Sequence, residues 1–191
     1  MLDPLLVEIP TRIETTRLIL RPHRAGDGPL LHEALVESIA ELRRSLWFLP
    51  WIAEEQTPES AELRCRRCEA NFLTRTDMPF LAFERSTCRL VGSVGLHRTD
   101  WRVPKTEVGY WIRTSAAGNG YVTEGVHALV ACAFEHLGAQ RVGLVTGEEN
   151  IPSRKVAQRC GFELEGVLRS VQRGPDGGLR NACIYARLPA A

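Results

Sequence analysis

The sequence predicts an α/β (α+β) domain built on one mostly antiparallel central sheet, and three observations predict it. An apolar, strand-like segment, Glu107-Val108-Gly109-Tyr110-Trp111-Ile112, breaks into Gly118-Asn119-Gly120-Tyr121 and then becomes an amphipathic helix. That helix, Thr123 to Leu137, carries Val126, Leu129, Val130, Ala133 and Phe134 at spacings of three and four, the stripe of a helix lying on a sheet. The third observation is size: 191 residues, 44% hydrophobic, without an internal repeat or low-complexity linker, fit one domain with a substantial core over residues 1–191.

The elements follow in order. A first strand runs from Arg17 to Pro22, with Leu18 and Leu20 on one face, and Gly26-Asp27-Gly28-Pro29 opens a helix over Leu30 to Ser38. A second helix runs from Pro58 to Phe72 with Thr57 as its cap. Phe80 to Glu84 and Leu90 to Leu96 read as paired strands joined by Arg85-Ser86-Thr87-Cys88, and Thr106 to Ile112 adds the next, so an antiparallel meander is the simplest pairing. Gly138 ends the long helix, and a strand from Arg141 to Thr146 follows. Asn150 then caps a short helix that tolerates Pro152 near its start and ends at Gly161. A strand from Phe162 to Val171, a turn at Gly174-Pro175-Asp176-Gly177-Gly178 and a last strand from Leu179 to Leu188 complete the chain.

Bulk properties exclude several classes of function. Lysine and arginine number 24 against 23 acidic residues, a net charge of +1, so there is no broad electrostatic footprint for nucleic acid. No apolar run approaches a membrane span, and Met1 to Glu8 carries acids rather than a basic leader, which predicts a cytoplasmic protein. Cysteines 65, 68, 88, 132, 160 and 183 are too scattered for a disulfide framework and read as free thiols. Cys65 and Cys68 lie one turn apart in a helical run without a second Cys/His pair, and the five histidines lack ligand spacing, so no metal site is expected.

The chemistry concentrates in two motifs. In Gly118-Asn119-Gly120-Tyr121-Val122-Thr123, glycines allow a sharp turn while the first-turn amides of the following helix, which lack internal partners, point at an anion with the helix dipole behind them. That layout suits a diphosphate. Downstream, Asn150-Ile151-Pro152-Ser153 opens a helix directly after an apolar strand, an arrangement that also reads as ordinary capping.

Together, Glu-Val-Gly-Tyr-Trp, Gly-Asn-Gly-Tyr-Val-Thr-Glu and Asn-x-x-Ser-x-x-Val-Ala-x-x-x-Gly-Phe resemble the GCN5-related N-acetyltransferases, and within them the RimJ/RimL-like branch. The resemblance begins at Glu14-Thr15-Thr16-Arg17-Leu18-Ile19-Leu20-Arg21-Pro22 and closes near Leu188. Two outer positions of the family's acyl-CoA loop depart from its pattern, Ala117 and Val122, although the contacts expected there come mainly from backbone amides.

The resemblance implies a mixed sheet in which the strands flanking the long helix run parallel and splay apart, with helices on both faces. It implies acetyl-CoA bound by Gly118 to Thr123 and by the backbone of Ile112 and Arg113, with Asn150 on the pantetheine and Ser153 near the thioester sulfur. For Ser153, capping remains an equal alternative. Glu107 would be the base for the acceptor amine, against the reading of a plain surface carboxylate. Trp47 and Trp51 would wall the acceptor groove, with core packing as the equal rival. Glu124 complements the helix N-terminus rather than doing chemistry. The acceptor implied is a protein N-terminus; a small amine, or a non-catalytic acyl-CoA-sensing module, are the alternatives. Relatives pair through sheet edges, which implies a homodimer.

Overall fold

A computed structural model describes residues 3–189. Its elements are β1 (Ile13–Glu14), β2 (Leu18–Pro22), α1 (Gly28–Ser45), α2 (Pro50–Ala53), α3 (Pro58–Leu73), β3 (Met78–Glu84), β4 (Leu90–Asp100), β5 (Lys105–Ile112), α4 (Tyr121–His136), β6 (Arg141–Gly147), α5 (Ile151–Arg159), β7 (Glu163–Arg173) and β8 (Leu179–Arg187). The eight strands form one sheet in the order β1-β2-β3-β4-β5-β6-β8-β7.

Strand alternation divides the core between the two faces of the sheet. Leu18, Leu20, Phe80, Val94, Leu96 and Val108 face α4, where they meet Val126, Leu129 and Val130. Leu81, Phe83 and Leu90 face the opposite way, against Leu31, Leu35 and Ile52 of α1 and α2 and Cys65 of α3. Gly125 lets α4 approach the sheet closely, since a Cβ there would lie 3.2 Å from Val94 Cγ1.

The expected meander is present: β3, β4 and β5 pair antiparallel. Between β5 and β6 the pairing is parallel and short, Lys105↔Arg141, Thr106↔Val142 and Glu107↔Gly143. Beyond that register the strands diverge, while each keeps its outer neighbour, β4 as far as Ile112 and β8 as far as Gly147. The splay therefore has two free inner edges.

Several boundaries differ from the sequence reading, those of α1 and α4 with a structural reason, and two short elements are added. α1 continues to Ser45 because Leu42 returns to the core, 3% exposed, and Arg43 donates from Nε to the Ile52 carbonyl at 3.2 Å. α4 begins at Tyr121, directly behind the left-handed Gly120, rather than at Thr123. The short β1 and α2 carry too few residues for a periodic signal. The Thr57 cap forms as expected: Thr57 Oγ1 accepts from the Ser60 amide at 3.1 Å and Ser60 Oγ accepts from the Thr57 amide at 2.9 Å. Among the described residues no helix is long and apolar enough to cross a membrane.

Candidate functional site

The glycine turn lies at the start of α4. Gly118 and Gly120 adopt φ of +81° and +79°, a conformation costly for residues with a Cβ, and the chain turns there straight into the helix. No side chain caps α4, in contrast to α3 and α5, which Thr57 and Asn150 cap. The leading amides of Tyr121, Val122 and Thr123 are thus left for a ligand.

Acid in that first turn is already satisfied. Glu124 accepts from Thr15 Oγ1 at 2.6 Å, from the Arg17 amide at 2.8 Å and from Arg17 Nε at 2.7 Å. Burial opposes its charge, and these bonds outweigh burial and hold the carboxyl below its usual range. Glu124 thereby fastens the β1–β2 turn to α4. Arg17 also donates to the Asn119 carbonyl at 2.9 Å and lies over the Tyr121 ring at 4.9 Å, bringing a cation to the glycine turn. The sequence reading assigned Arg17 no role.

The approach to the turn is anchored from α1. Arg113 is 7% exposed in its side chain and donates to Glu37 at 2.6 Å and to Glu33 at 2.5 Å. Its own amide donates to the Val91 carbonyl at 2.8 Å and its carbonyl accepts from the Ala116 amide at 2.9 Å. Both backbone groups of Arg113 are therefore engaged within the protein, and its part in the site is to position the loop. Glu37 accepts the Ser115 amide at 2.9 Å and Ser38 Oγ accepts the Thr114 amide at 3.0 Å. Hydrogen bonds from Ser115, ahead of the Arg113 contact, pull the Glu37 carboxyl down to about 2. Ile112 ends β5 beside the splay with its side chain packed toward the α4 core.

Across the splay, Asn150 Oδ1 accepts from the Ser153 amide at 3.2 Å and caps α5. This bond uses the side-chain oxygen and leaves the NH2 group as a donor toward a ligand. Ser153 Oγ lies 2.8 Å from the Tyr110 hydroxyl, which is also 3.3 Å from the Ser153 carbonyl. Capping here comes from Asn150, and the Ser153 hydroxyl is paired with Tyr110 rather than with the helix N-terminus. Burial raises the Tyr110 hydroxyl above the usual phenol range, against the opposing bond from Ser153, which keeps it protonated. Tyr110 stands inside the Glu-Val-Gly-Tyr-Trp motif, and its alternation with Val108 was the available signal that it faces the α5 side.

On the other face, Glu107 stands at the last paired position before the strands part, opposite Gly143. A Cβ at Gly143 would lie 3.3 Å from Glu107 Cγ, so the glycine keeps space beside the carboxylate. Glu107 is ion-paired with Arg98. A cavity of about 220 Å³ opens here, lined among others by Arg98, Lys105, Glu107, Arg141, Val145 and Ile184.

The two tryptophans separate. Trp47 donates from its indole to the Arg173 carbonyl at 2.9 Å and reaches toward Gly147, crossing from the α1–α2 connection to the strands beyond the splay. Trp51 packs against the core of the α1–α3 face with the Arg64 guanidinium 4.0 Å from its ring centroid. The core-packing reading thus describes Trp51, while Trp47 bridges the two halves.

Comparison with known proteins adds the family. A model described as an acetyltransferase (GNAT) domain matches residues 17–163. YoaA of Bacillus subtilis (strain 168), an uncharacterized N-acetyltransferase, is 34% identical over 85 residues, 44% of this chain and 48% of that protein. The ribosomal-protein-serine acetyltransferase of Escherichia coli (strain K12) is 28% identical over 109 residues, 57% of this chain and 59% of that protein. The matched stretch spans about half the length of the curated relatives it matches. The structure of RimL, the ribosomal L7/L12 α-N-protein acetyltransferase, in complex with coenzyme A has a TM-score of 0.83 at 22% identity, covering 94% of this chain and 97% of that one, a likeness of fold. The family match takes in the splay, the glycine turn and the Asn150 helix, and on that ground the chain belongs to the GNAT acetyltransferase domain family.

Proposed function

We propose that the protein transfers acetyl from acetyl-CoA to a primary amine, the N-terminal α-amino group of a protein or peptide being the acceptor. The carrying observation is the splay, which opens past Glu107↔Gly143 between an uncapped glycine turn and the capped start of α5. In this reading the diphosphate lies on the amides of Gly118 to Thr123. The pantetheine follows the free inner edge of β5, with Asn150 as a donor from the other side.

The chemistry divides between the two faces of the sheet. Glu107 draws a proton from the acceptor ammonium, directly or through a water, and the freed amine attacks the thioester carbon. A C–N bond forms, the C–S bond breaks with its electron pair left on sulfur, and the departing thiolate takes its proton from the Ser153 hydroxyl as Tyr110, 2.8 Å away, passes its own proton to Ser153 and regains one from solvent. The amide product leaves with coenzyme A. Glu107 and the Ser153 hydroxyl together favour an enzyme over an acyl-CoA sensor. The Escherichia coli relative is a ribosomal-protein-serine acetyltransferase, which supports the peptide acceptor. β7, an edge strand paired only with β8, supports association of two copies, which sedimentation measures.

The test is coenzyme A thiol release with acetyl-CoA and a panel of N-terminal peptides and small amines. Turnover with peptides is expected. Turnover confined to small amines would replace the acceptor, and tight acetyl-CoA binding without any turnover would favour the sensor.

A further inference from the structure

Beside Glu107 stands an imidazole that the transfer described above does not use. His97, Glu107 and Gly143 occupy one row across β4, β5 and β6, by the registers His97↔Glu107 and Glu107↔Gly143. Asp77, the residue before β3, flanks that row, and its Oδ1 lies 3.3 Å from His97 Nδ1. The same carboxylate accepts the Arg98 amide at 3.3 Å.

Two glycines shape the seat of the ring. Gly95 and Gly109 are cross-strand partners one step toward the open end of the splay. A Cβ at Gly95 would lie 2.6 Å from His97 Nε2, and one at Gly109 would lie 3.1 Å from Cδ2 and 3.3 Å from Nε2. The ring therefore rests on bare backbone, Nδ1 toward Asp77 and Nε2 over β4 and β5. The side chain is 37% exposed, so the ring is partly open to solvent.

We propose that His97, oriented by Asp77, is the final acceptor of the proton that the acceptor amine must lose. This rests on the acetyl-transfer reading above. Asp77 accepts the Nδ1 proton, which selects the tautomer whose bare Nε2 lone pair can take another. The ammonium N–H bond breaks with its electron pair left on nitrogen. The proton passes directly, or by way of Glu107 or a water, to Nε2, and the imidazolium beside Asp77 later returns it to solvent.

The charges facing this ring come from each neighbouring segment: Asp77 ahead of β3, Arg98 on β4 and Glu107 on β5, with Lys105 and Arg141 lining the cavity beyond Glu107. Glu107 is held by Arg98. An imidazole, by contrast, presents one ring nitrogen as an acceptor while the other donates. Burial opposes the charge on Asp77, yet its contact with His97 and the Arg98 amide outweigh that and keep the carboxyl below its usual range.

Thiol release is to be followed from pH 6 to 9.5 for the wild type, His97→Gln, Asp77→Asn and His97→Gly. His97→Gln should lower kcat by about a hundredfold at the acid end, the effect shrinking as pH rises, with KM for acetyl-CoA changed less than about twofold. Asp77→Asn should show a smaller loss of the same shape, and free imidazole should restore part of the rate to His97→Gly. Long-range ¹⁵N spectra of the acetyl-CoA complex should show neutral His97 protonated on Nδ1. A His97→Gln rate within about threefold of wild type at every pH, a pH-independent loss without imidazole rescue, or an Nε2-protonated tautomer would each overturn the assignment while leaving acetyl transfer standing. A wild type that turns over no amine would remove the acetyl-transfer reading itself, and this assignment with it.

Discussion

Gly120→Asp tests the anion site with a magnitude that the structure allows to be worked out. Gly120 is the N-cap of α4 at φ +79°, ψ 4°, and among the described residues beyond its chain neighbours a new Cβ would meet Arg17 Nη2 alone within 4 Å, at 3.5 Å, an ordinary contact. The steric cost is small. The left-handed backbone costs an L-residue roughly 1–2 kcal/mol, with aspartate among the more tolerant. A carboxylate placed roughly 5 Å from a bound phosphate charge adds about 1–3 kcal/mol of repulsion at effective dielectric constants between about 80 and 20. At about 1.4 kcal/mol per factor of ten, acetyl-CoA affinity should fall about fivefold to about 150-fold. Gly120→Ala supplies the comparison, since it carries the backbone strain without the charge. Titration calorimetry should rank wild type, Ala and Asp in descending affinity, and 0.5 M salt should narrow the Ala–Asp gap because the Debye length shortens to a few ångströms. The melting temperature should drop by no more than about 4 °C per kcal/mol of strain. If the aspartate variant binds acetyl-CoA as tightly as the alanine variant at low salt, the diphosphate does not lie on this turn.

Other perturbations address the remaining parts of the site. Asn150→Ala removes the α5 cap, which should cost about 1 kcal/mol of stability and also weaken acetyl-CoA binding in calorimetry. Ser153→Ala and Tyr110→Phe should both lower kcat with little change in KM for acetyl-CoA, and a full-rate Tyr110→Phe enzyme would show that the hydroxyl pair does not deliver the proton. Glu107→Gln should depress turnover most at low pH and recover partly as the amine deprotonates by itself; an effect below about threefold at every pH, against a usual hundredfold or more, would remove Glu107 from proton transfer. Glu37 has a depressed folded pKa, so its contribution to stability is present above the ordinary value of 4.5 and is lost as pH falls toward about 2. Thermal melts between pH 2 and 6 should therefore fall more steeply for wild type than for Glu37→Gln, and parallel curves would mean the Arg113 anchor does not depend on that charge.

How much was legible in the sequence varies with the distance over which each feature is determined. Element identities followed from local chemistry: the Thr57–Ser60 cap, the left-handed glycines at 118 and 120, and the apolar stripe of α4 are each specified within a few residues. Boundaries slipped where a distant contact extends an element, as Leu42 and Arg43 do for α1. Candidate site residues such as Asn150 and Glu107 could be named from the sequence because the resemblance attaches them to motifs that each lie within one segment. Arg17, Tyr110 and the Asp77–His97 pair were not, since their partners come from other strands and helices.

The sequence by itself determined the alternation that divides the sheet into two buried faces, the glycine turn ahead of α4 and the capped start of α5, because each depends on side-chain spacing and backbone preference within one segment. Only the tertiary structure decided where β5 and β6 part, that Tyr110 meets Ser153 43 residues away, that Arg113 reaches Glu33 80 residues back, and that Trp47 bridges to β7 while Trp51 packs into the core. Those outcomes depend on strand register and on how helices close over the sheet. They arise from long-range packing among many residues at once, which no local pattern of residues encodes.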